Sequence, residues 1–333
     1  MSFNTMRAAL AHRIGGRFFY GWVMLGAGAL GYFASGPAQS HIFSVFITPI
    51  TQDLGISRTS VSSAYALATL IAAFGLPFVG RLIDRYGVQR VFLGVALGFG
   101  LCAVGFGMVT NLVMLTIAFG ALRFLGQGSL MLCSANLVSQ WFARKRGFAL
   151  SLMSLGFACS IAAHPYLAQR LIDVVGWREA WLWLGIMTWL LLVPMVFFLV
   201  HSRPEDLGMQ ADGDKHDGGD ASGTTDRLVR DAVNVGLTLK QAMRTSAFWI
   251  IALGLSSLSM LVTGMFFHQV SILDVQGLSA QQAATVFTVT AVTMVTFMPV
   301  FGRLLDRYRT QYLFSATLVL MAGSLAAMSQ VQG

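Results

Sequence analysis

Charge is scarce in this sequence: only 11% of the 333 residues are Asp, Glu, Lys or Arg, whereas 56% are hydrophobic. A soluble globular domain carries about 25% charged residues, so part of this surface must be solvated by lipid. Cysteine is scarce too. Cys102, Cys133 and Cys159 all lie within apolar runs, which favours packing residues over a disulfide framework or a zinc site. The chain also lacks a P-loop, an HExxH motif and a nucleophile elbow. These absences argue against an enzyme and predict no metal and no cofactor.

Long apolar runs dominate the chain, and each is close to the about 20 residues that a membrane-spanning helix needs. We predict nine spans, numbered one to nine in chain order: Phe19–Phe46, Val61–Val79, Val91–Val109, Leu112–Ser134, Phe148–Ala168, Ala180–Val200, Phe248–Val270, Ala283–Phe301 and Tyr312–Met328. The first run is too long for a cleavable signal peptide. The sequence therefore predicts an all-α, multi-pass integral membrane protein.

The placement of Lys and Arg predicts the orientation. With the N-terminus in the cytoplasm, the outside segments hold only Arg58, Arg170 and Arg178, and Arg123 lies within span four. The other 18 of the 22 Lys and Arg residues (22 − 3 − 1) then face the cytoplasm, as the positive-inside rule expects. They include those of the basic segment 6–17, which we expect at the lipid surface. Because these charges are scattered over short loops, they argue against a nucleic-acid partner.

A long polar stretch, His201–Lys240, divides six spans from three. We therefore predict an N-terminal six-helix bundle over residues 1–200, a cytoplasmic central loop over 201–245 and a partial C-terminal bundle of three helices over 246–333. The Asp- and Gly-rich composition of the loop predicts that it is mobile and buries no core. Near its end, Thr238–Arg244 is predicted to form a short interfacial helix.

One motif occurs twice, on the same predicted side of the membrane. Gly80–Tyr86 follows span two and reads GRLIDRY, and Gly302–Tyr308 follows span eight and reads GRLLDRY. The offset is 222 residues (302 − 80), and it also aligns Pro77 with Pro299. Because both copies lie on one face, the repeat is parallel, with its axis along the membrane normal.

The first copy continues to Arg90, and its pattern G-x-x-x-D-R-x-G-x-x-R resembles the loop motif of the major facilitator superfamily. The residues that carry the pattern are Gly80, Asp84, Arg85, Gly87 and Arg90, echoed by Gly302, Asp306 and Arg307. Three further stretches look like the oxalate/formate antiporter and monocarboxylate transporter branch of that family: Phe19–Trp22 (FYGW), Arg203–Gly208 (RPEDLG) and Ala247–Trp249 (AFW).

The resemblance implies a helical bundle of the major facilitator type, with six helices in the N-terminal half and the first three of the C-terminal half. It implies a secondary active transporter that moves small organic solutes by alternating access. In this branch the solutes are anions such as monocarboxylates, carried by proton symport or anion exchange. The resemblance also implies a monomer in the bacterial cytoplasmic (inner) membrane. Its partners would be the bilayer, the solute and, for a symporter, a proton.

Two departures from the branch keep alternatives open. Span eight, Ala283–Phe301, contains no charged residue, although members of the branch commonly carry a carboxylate-binding cation there. The solute could therefore be something other than a carboxylate. In addition, superfamily members normally have twelve spans, and Gly333 corresponds by the repeat to Asn111 (333 − 222), just after span three. A truncated, non-transporting remnant is therefore a second alternative.

Arg123 is the basic residue that lies within a span, and such a charge normally faces a partner or water. Its context, Arg123–Gly128 (RFLGQG), resembles the fourth-helix motif of the family. Two interpretations stay open. Arg123 could contact a substrate anion or take part in proton coupling, or it could be a structural cation held by carbonyl groups or by Gln127. The spans contain no carboxylate to pair with it.

Three histidines lie in the outer halves of spans one, five and seven: His41, His164 and His268. The resemblance places spans one, four, five and seven around the central cavity, and histidine can titrate near physiological pH. Each is therefore a candidate for substrate binding or coupling. Interfacial water could instead solvate His268, and a carbonyl freed by Pro165 could bind His164. Further candidates are polar residues of a type that also joins helices: Gln39, Tyr65 and Asn136.

We interpret the repeated motif as a conformational gate at the inner face, formed by Gly80, Asp84, Arg85, Gly87, Arg90, Gly302, Asp306 and Arg307. Arg81, Arg85, Arg303 and Arg307 are potential local partners of the two carboxylates. A carboxylate is also attracted to a helix N-terminus. By the pseudo-symmetry, Asp306 should approach the start of span five near Arg144–Gly147, whereas Asp84 should lack a partner from the opposite half.

Overall fold

The computed structural model describes residues 19–213, 239–275 and 280–328, and all regular secondary structure there is helical. Span one comprises Gly21–Ala34 and Ser40–Leu54, span two is Arg58–Tyr86, and span three is Val88–Phe106. Span four comprises Leu112–Leu122, a π-helix Arg123–Leu130, and Met131–Trp141. Spans five and six lie in Arg146–Met153 and Leu155–Phe198, and spans seven to nine are Ser246–Val275, Ala280–Arg307 and Thr310–Met328.

Six segments of the described residues are long and apolar enough to cross a membrane, and the protein is accordingly a multi-pass membrane protein. The number of qualifying segments is smaller than the nine predicted spans for three reasons. Span one is broken into two shorter helices, and Arg146–Phe198 counts once although it holds spans five and six. Thr310–Met328, which covers span nine, is not among the six. The nine-span topology and the inward N-terminus stay predictions.

Span one differs from the single helix that the sequence predicts. A 3-10 turn, Gly36–Ala38, interrupts it, and the second helix continues past Phe46 to Leu54. Pro37 has no backbone N–H and clashes with the preceding turn of an α-helix, which explains the break. The helix then ends at Gly55, whose φ of 64° is the left-handed conformation common after a helix C-terminus.

Spans five and six are separated by a single residue. Gly176 has φ 82° and ψ 163° inside the continuous segment Leu155–Phe198, a conformation that only glycine adopts readily. Just after it, Arg178 donates to the carbonyls of Gly107 and Val109 at the end of span three. At the other end of span six, the Leu199 carbonyl accepts from the Tyr20 hydroxyl at the start of span one. Span six therefore runs from the end of span three to the start of span one.

The repeated motif does not form a loop, contrary to the sequence interpretation. Gly80–Tyr86 is the last part of the helix of span two, and Gly87 alone separates it from span three, with φ 82°. In the second copy, the helix of span eight continues to Arg307. The carboxylates of Asp84 and Asp306 consequently project from helix ends, where backbone geometry holds them more firmly than a loop would.

The beginning of the central loop also differs from its prediction. Pro204 and Leu207 are buried, and the Trp141 indole donates to the His201 carbonyl at 3.2 Å. Residues 201–213 therefore pack on the bundle rather than forming part of a mobile loop. Of the predicted interfacial helix Thr238–Arg244, the structure contains the turn Leu239–Ala242. The rest of the predicted loop, 214–238, and the basic segment 6–17 lie outside the described residues.

The main core lies among spans one to six, where aromatic rings from spans one, three and six pack together. Trp181 contacts Phe43, Phe46 and Phe106 at centroid distances of 4.2 to 5.8 Å. The later helices pack on this bundle. Span seven lies against Ser40–Leu54, and span eight lies against both helices of span five. A small second cluster, Ile161, Phe287 and Ala291, marks the contact between spans five and eight. The three-part domain division itself stays a prediction.

Candidate functional site

Arg123 begins a π-helix in the middle of span four, and the local sequence explains its shape. The Ser129 hydroxyl donates to the carbonyl of Phe124, five residues earlier, at 2.7 Å, which is the spacing of a π-turn. Gly126 lies against Ala38, where a side chain would collide with it. The widened helix therefore approaches the break in span one closely, and it points Arg123 into the bundle.

The Arg123 guanidinium is almost completely buried, with 5% of the residue exposed. Its Nη1 donates to the Ala38 carbonyl at 3.4 Å, and its carbon lies 5.0 Å from the centre of the Tyr65 ring. Within the described residues no carboxylate pairs with it, and its Nε has no hydrogen-bond partner. A cation at such depth costs about 2.5–3.5 kcal/mol or more. One long carbonyl contact and one aromatic face offset only part of that cost.

Three further buried polar atoms near Arg123 have no hydrogen-bond partner among the described residues: the Tyr65 hydroxyl, Thr69 Oγ1 and Gln127 Oε1. Thr69 lies one helical turn after Tyr65, and Gln127 one turn after Arg123, so each pair shares a face of its helix. We call these four residues the Arg123 site. A buried polar atom without a partner costs about 1–3 kcal/mol, so four together indicate a place where a ligand or water completes the hydrogen bonding.

Aromatic rings surround the Arg123 site on the side that is predicted to face outward. Tyr65 stacks on Phe267 of span seven, with ring centres 4.4 Å apart and planes 24° apart. Phe43 and Phe119 meet the Tyr65 ring edge-on at 5.4 Å. Because Phe267 belongs to the C-terminal part, the site is covered by contact between the two parts of the chain.

The structure brings two of the predicted histidines together through a residue that sequence reasoning missed. Ser160 Oγ lies 3.4 Å from His41 Nε2 and 3.1 Å from His164 Nδ1. We call these three residues the His41 cluster. His164 Nδ1 also lies 3.3 Å from the Ser160 carbonyl. Pro165 has no N–H and so leaves one carbonyl of the helix without its usual donor. The carbonyl that His164 contacts lies one residue before that one. Ser160 and His164 are four residues apart and therefore share one face of the helix. That spacing was the sequence feature from which their contact could have been predicted.

His41 is fully buried, and its Nδ1 has no hydrogen-bond partner among the described residues. Phe157 of span five and Phe266 of span seven meet its ring at 5.8 and 6.2 Å. The cluster therefore also lies where the C-terminal part contacts the bundle.

The remaining predicted site residues lie apart from the His41 cluster. Gln39 donates to Ser35 Oγ at 3.0 Å and contacts Met131 of span four, one residue from the Ala38 carbonyl that Arg123 reaches. Asn136 accepts from Gln140 within span four. His268 is exposed and contacts the adjacent Phe267 ring. None of these placements tests a role in transport, so the roles stay predictions.

The predicted approach of Asp306 to span five is present. Asp306 Oδ1 accepts from the backbone N–H of Gly147 at 3.1 Å, and Oδ2 accepts from that of Phe148 at 2.9 Å. Both N–H groups belong to the first turn of Arg146–Met153, where no intrahelical acceptor exists and the helix dipole favours an anion. We call this contact the inner latch, because the repeated motif is predicted to face the cytoplasm.

A second carboxylate, which sequence reasoning missed, binds the segment that connects spans four and five. Asp212 Oδ2 accepts from the N–H groups of Ala143 and Arg144 at 3.1 and 2.8 Å. Asp212 has φ 63°, which is uncommon for a residue other than glycine. This contact was not predicted, because the residues around Asp212 are rich in Asp and Gly, as in mobile loops.

Asp84 is exposed, and within the described residues no hydrogen bond or ion pair involves it. Two of the four proposed arginine partners make other contacts. Arg85 lies over the Tyr86 ring at 5.3 Å and Arg303 over the Phe148 ring at 4.5 Å. Neither carboxylate forms a local ion pair within the described residues, so that expectation is wrong. Arg85 and Arg303 pack their guanidinium groups on aromatic faces instead.

Comparison with known proteins adds the family. A sequence profile described as Major Facilitator Superfamily matches residues 8–332. A 4-hydroxybenzoate transporter of Pseudomonas aeruginosa is 31% identical over 159 residues, which are 47% of this chain and 35% of that protein. The oxalate:formate antiporter of Oxalobacter formigenes is 26% identical over 188 residues, 56% and 43% of the two chains.

A third relative has a different description. A multidrug resistance protein of Dickeya zeae is 27% identical over 181 residues, 53% of this chain and 44% of that protein. In all three cases the chain spans less than half the length of the relative.

Proposed function

Because the chain belongs to the Major Facilitator Superfamily, we propose that it acts as a secondary active transporter of small organic anions, by alternating access. One observation carries the proposal: Arg123 is a buried cation without a carboxylate partner among the described residues, beside three other unpaired polar atoms. A carboxylate bound there would supply the missing negative charge and accept from Nε. A guanidinium binds a carboxylate through two parallel hydrogen bonds.

The chemistry of the unpaired atoms narrows the solute further. Arg123 Nε only donates, whereas Gln127 Oε1 only accepts. A solute that satisfies both needs an acceptor at one end and a hydroxyl or amine donor at another. The aromatic rings around Tyr65 would suit an aromatic body. The descriptions of the 4-hydroxybenzoate and oxalate:formate relatives agree with an organic acid.

Alternating access requires contacts that break when the site changes sides. Two such contacts connect the bundle with the C-terminal part: the inner latch, and the stacking of Phe267 on Tyr65. We propose that the inner latch breaks when the inner face opens, and that the stacking of Phe267 on Tyr65 breaks when the outer face opens. The two contacts would then be lost in turn, not together, as the two parts rock.

The His41 cluster is the candidate for proton coupling. Its two imidazoles share Ser160, so a proton gained by one ring would change the hydrogen bond to the other. Proton symport and anion exchange both remain within the proposal. In proton symport the cluster would carry the proton, and in anion exchange it would take no part in coupling. We further propose a bacterial cytoplasmic membrane with the N-terminus inside, supported by the Lys and Arg placement.

Binding of labelled acids by the 333-residue chain in proteoliposomes tests the proposal. Benzoate, 4-hydroxybenzoate, oxalate and formate are the probes, with initial uptake and equilibrium binding as readouts. Arg123→Gln should reduce binding of an accepted acid by about tenfold or more, since a charged hydrogen bond contributes about 1.5–3 kcal/mol. Arg123→Lys should retain part of the binding. Arg58→Gln removes the same charge from an exposed outer position and should change nothing.

The outcomes separate the candidate functions. Unchanged binding in Arg123→Gln would remove this residue from the solute site. Uptake of neutral or cationic compounds with none of the acids would favour the non-carboxylate alternative, for which the multidrug resistance relative is the supporting observation. Binding without uptake would leave a solute-binding membrane protein rather than a transporter.

A further inference from the structure

A crevice of about 340 Å³ lies between spans two, three and four, away from the Arg123 site and the His41 cluster. Phe78 and Leu82 of span two, Val95 of span three and Phe124 of span four form its apolar walls, and Tyr86 and Arg90 line it at one end. Its volume lies in the range of about 300–1,000 Å³ that ligand sites occupy. No contact between the N-terminal and C-terminal parts is involved.

The position of the crevice relates it to the bilayer surface. Tyr86 ends span two and Arg90 lies in the first turn of span three, separated by the turn at Gly87. Phe78 lies eight residues before Tyr86, which is about 12 Å along a helix. The crevice therefore runs from the helix ends, where lipid headgroups lie, to a depth where acyl chains lie.

Arg90 gives this end of the crevice its charge. Its side chain is exposed, and within the described ranges no hydrogen bond, ion pair or ring contact involves it. The neighbouring Arg85 is held over Tyr86, so it adds positive potential without closing the mouth. An apolar crevice with a free cation at its headgroup end is complementary to an anion that carries a hydrocarbon chain.

Span three leaves this space open through a glycine. A side-chain carbon added at Gly94 would meet no atom within 4 Å, although Gly94 lines the crevice. On the opposite wall, Phe124 belongs to the π-helix that also begins with Arg123. The absence of a side chain at Gly94 therefore leaves part of this crevice open beside the π-helix.

We propose that this crevice binds one anionic phospholipid, with its phosphate at Arg90 and an acyl chain between Phe78, Val95 and Phe124. A lipid fits better than a soluble solute because the long axis of the crevice follows the helices and its charged end is at the membrane surface. Basic pockets between spans are known sites for anionic headgroups. Because Phe124 adjoins Arg123, the lipid would also brace the π-helix that positions the solute contact.

Lipid retention measured by native mass spectrometry tests the site. The 333-residue chain is purified from nanodiscs that contain equal amounts of phosphatidylglycerol and phosphatidylcholine, and the lipids that remain bound are counted. Arg90→Gln should reduce retained phosphatidylglycerol by about fivefold, the effect of one cation near a lipid surface. Gly94→Leu fills the crevice and should reduce retention of both lipids.

Matched controls keep the result interpretable. Arg81→Gln removes a charge near the adjoining end of span two without lining the crevice, and Gly105→Leu adds a side chain at another open glycine of span three. Both should retain phosphatidylglycerol as the unmodified chain does. Equal retention of phosphatidylglycerol by the unmodified chain and Arg90→Gln would overturn the headgroup contact. Unchanged retention in Gly94→Leu would overturn the acyl-chain placement, and no preference for phosphatidylglycerol over phosphatidylcholine would overturn the anionic assignment.

Discussion

The two copies of the repeated motif have nearly the same residues and different surroundings. Asp306 accepts hydrogen bonds from two backbone N–H groups of span five, whereas Asp84 is exposed and, within the described residues, has no partner. Both carboxylates lie in the last turn of a helix, with an arginine on the following residue. The difference therefore comes from what packs against each copy, and a motif of this kind forms a latch only where a helix N-terminus is presented to it.

The same contrast separates the larger parts of the chain. The bundle of spans one to six buries large side chains throughout, among them Trp141, Trp181 and Phe43. In spans seven to nine, the described buried hydrophobic residues are Phe267, Phe287 and Ala291, and each lies where that part meets the bundle. The bundle is held by its own core, and the described C-terminal helices are held mainly by the bundle.

The largest expected effect comes from two tryptophans, one in each part. Trp181 is fully buried among Phe43, Phe46 and Phe106, whereas Trp249 is half exposed. Trp181→Ala should lower the free energy of unfolding by about 3–5 kcal/mol, as removal of a large buried ring does. Trp249→Ala should cost about 1 kcal/mol, since it loses one exposed hydrogen bond to Met243. Denaturation in mild detergent, followed by circular dichroism, measures both. Similar losses would contradict the contrast between the two parts.

Two glycines give a second, smaller comparison. A methyl group at Gly156 would overlap the Ala29 carbonyl, where spans one and five cross, whereas one at Gly264 of span seven would meet no atom. Gly156→Ala should therefore destabilise the protein by about 1–3 kcal/mol, because the two backbones must separate. Gly264→Ala should leave the unfolding midpoint unchanged or raise it slightly, since alanine favours helix. A midpoint unaffected by Gly156→Ala would show that spans one and five are less tightly packed than the structure indicates.

The smallest effect concerns the motif copies themselves. Asp306→Asn should weaken the inner latch by about 1 kcal/mol, the difference between a charged and a neutral acceptor, and so raise the open population about fivefold. Ser151, which contacts Gly302 beside the latch, can be replaced by cysteine in a chain without its three native cysteines. The rate at which a membrane-impermeant thiol reagent modifies that cysteine reports the opening.

Asp84→Asn is the matched control in the same assay. It changes the same side chain in the other copy and should leave the rate unchanged, because Asp84 has no described partner to lose. Equal acceleration by both variants would mean that the effect arises from charge at the inner face in general. The latch would then not be the cause.

Much of the architecture was predictable from local sequence. Composition and apolar run length indicated a helical membrane protein, and the 222-residue offset (302 − 80) predicted Asp306 close to the start of span five. Helix ends were less predictable. The apolar stretch ends at Val79, but the helix continues to Tyr86, because a charged turn can extend beyond the hydrocarbon while its backbone hydrogen bonds persist.

The site could be predicted only in part. Arg123, His41 and His164 were evident as polar residues in apolar runs, but Ser160, Thr69 and Phe267 were not, since serine, threonine and phenylalanine are ordinary in such runs. Their importance comes from which atoms they meet. Asp212 was missed for the opposite reason, because its polar surroundings in sequence suggested mobility although the chain packs on the bundle there.

The sequence by itself determined that this is a multi-pass helical membrane protein of a recognisable family type, with a repeated motif and an arginine within span four. Those properties follow from composition, run length and spacing, which are local to the chain. Only the tertiary structure decided that the break at Gly36–Ala38 offers a carbonyl to Arg123, that Ser160 joins two histidines, and that one copy of the motif is latched while the other is free of described partners. These depend on the rotation and depth of each helix against helices distant in sequence, which packing sets and no single segment encodes.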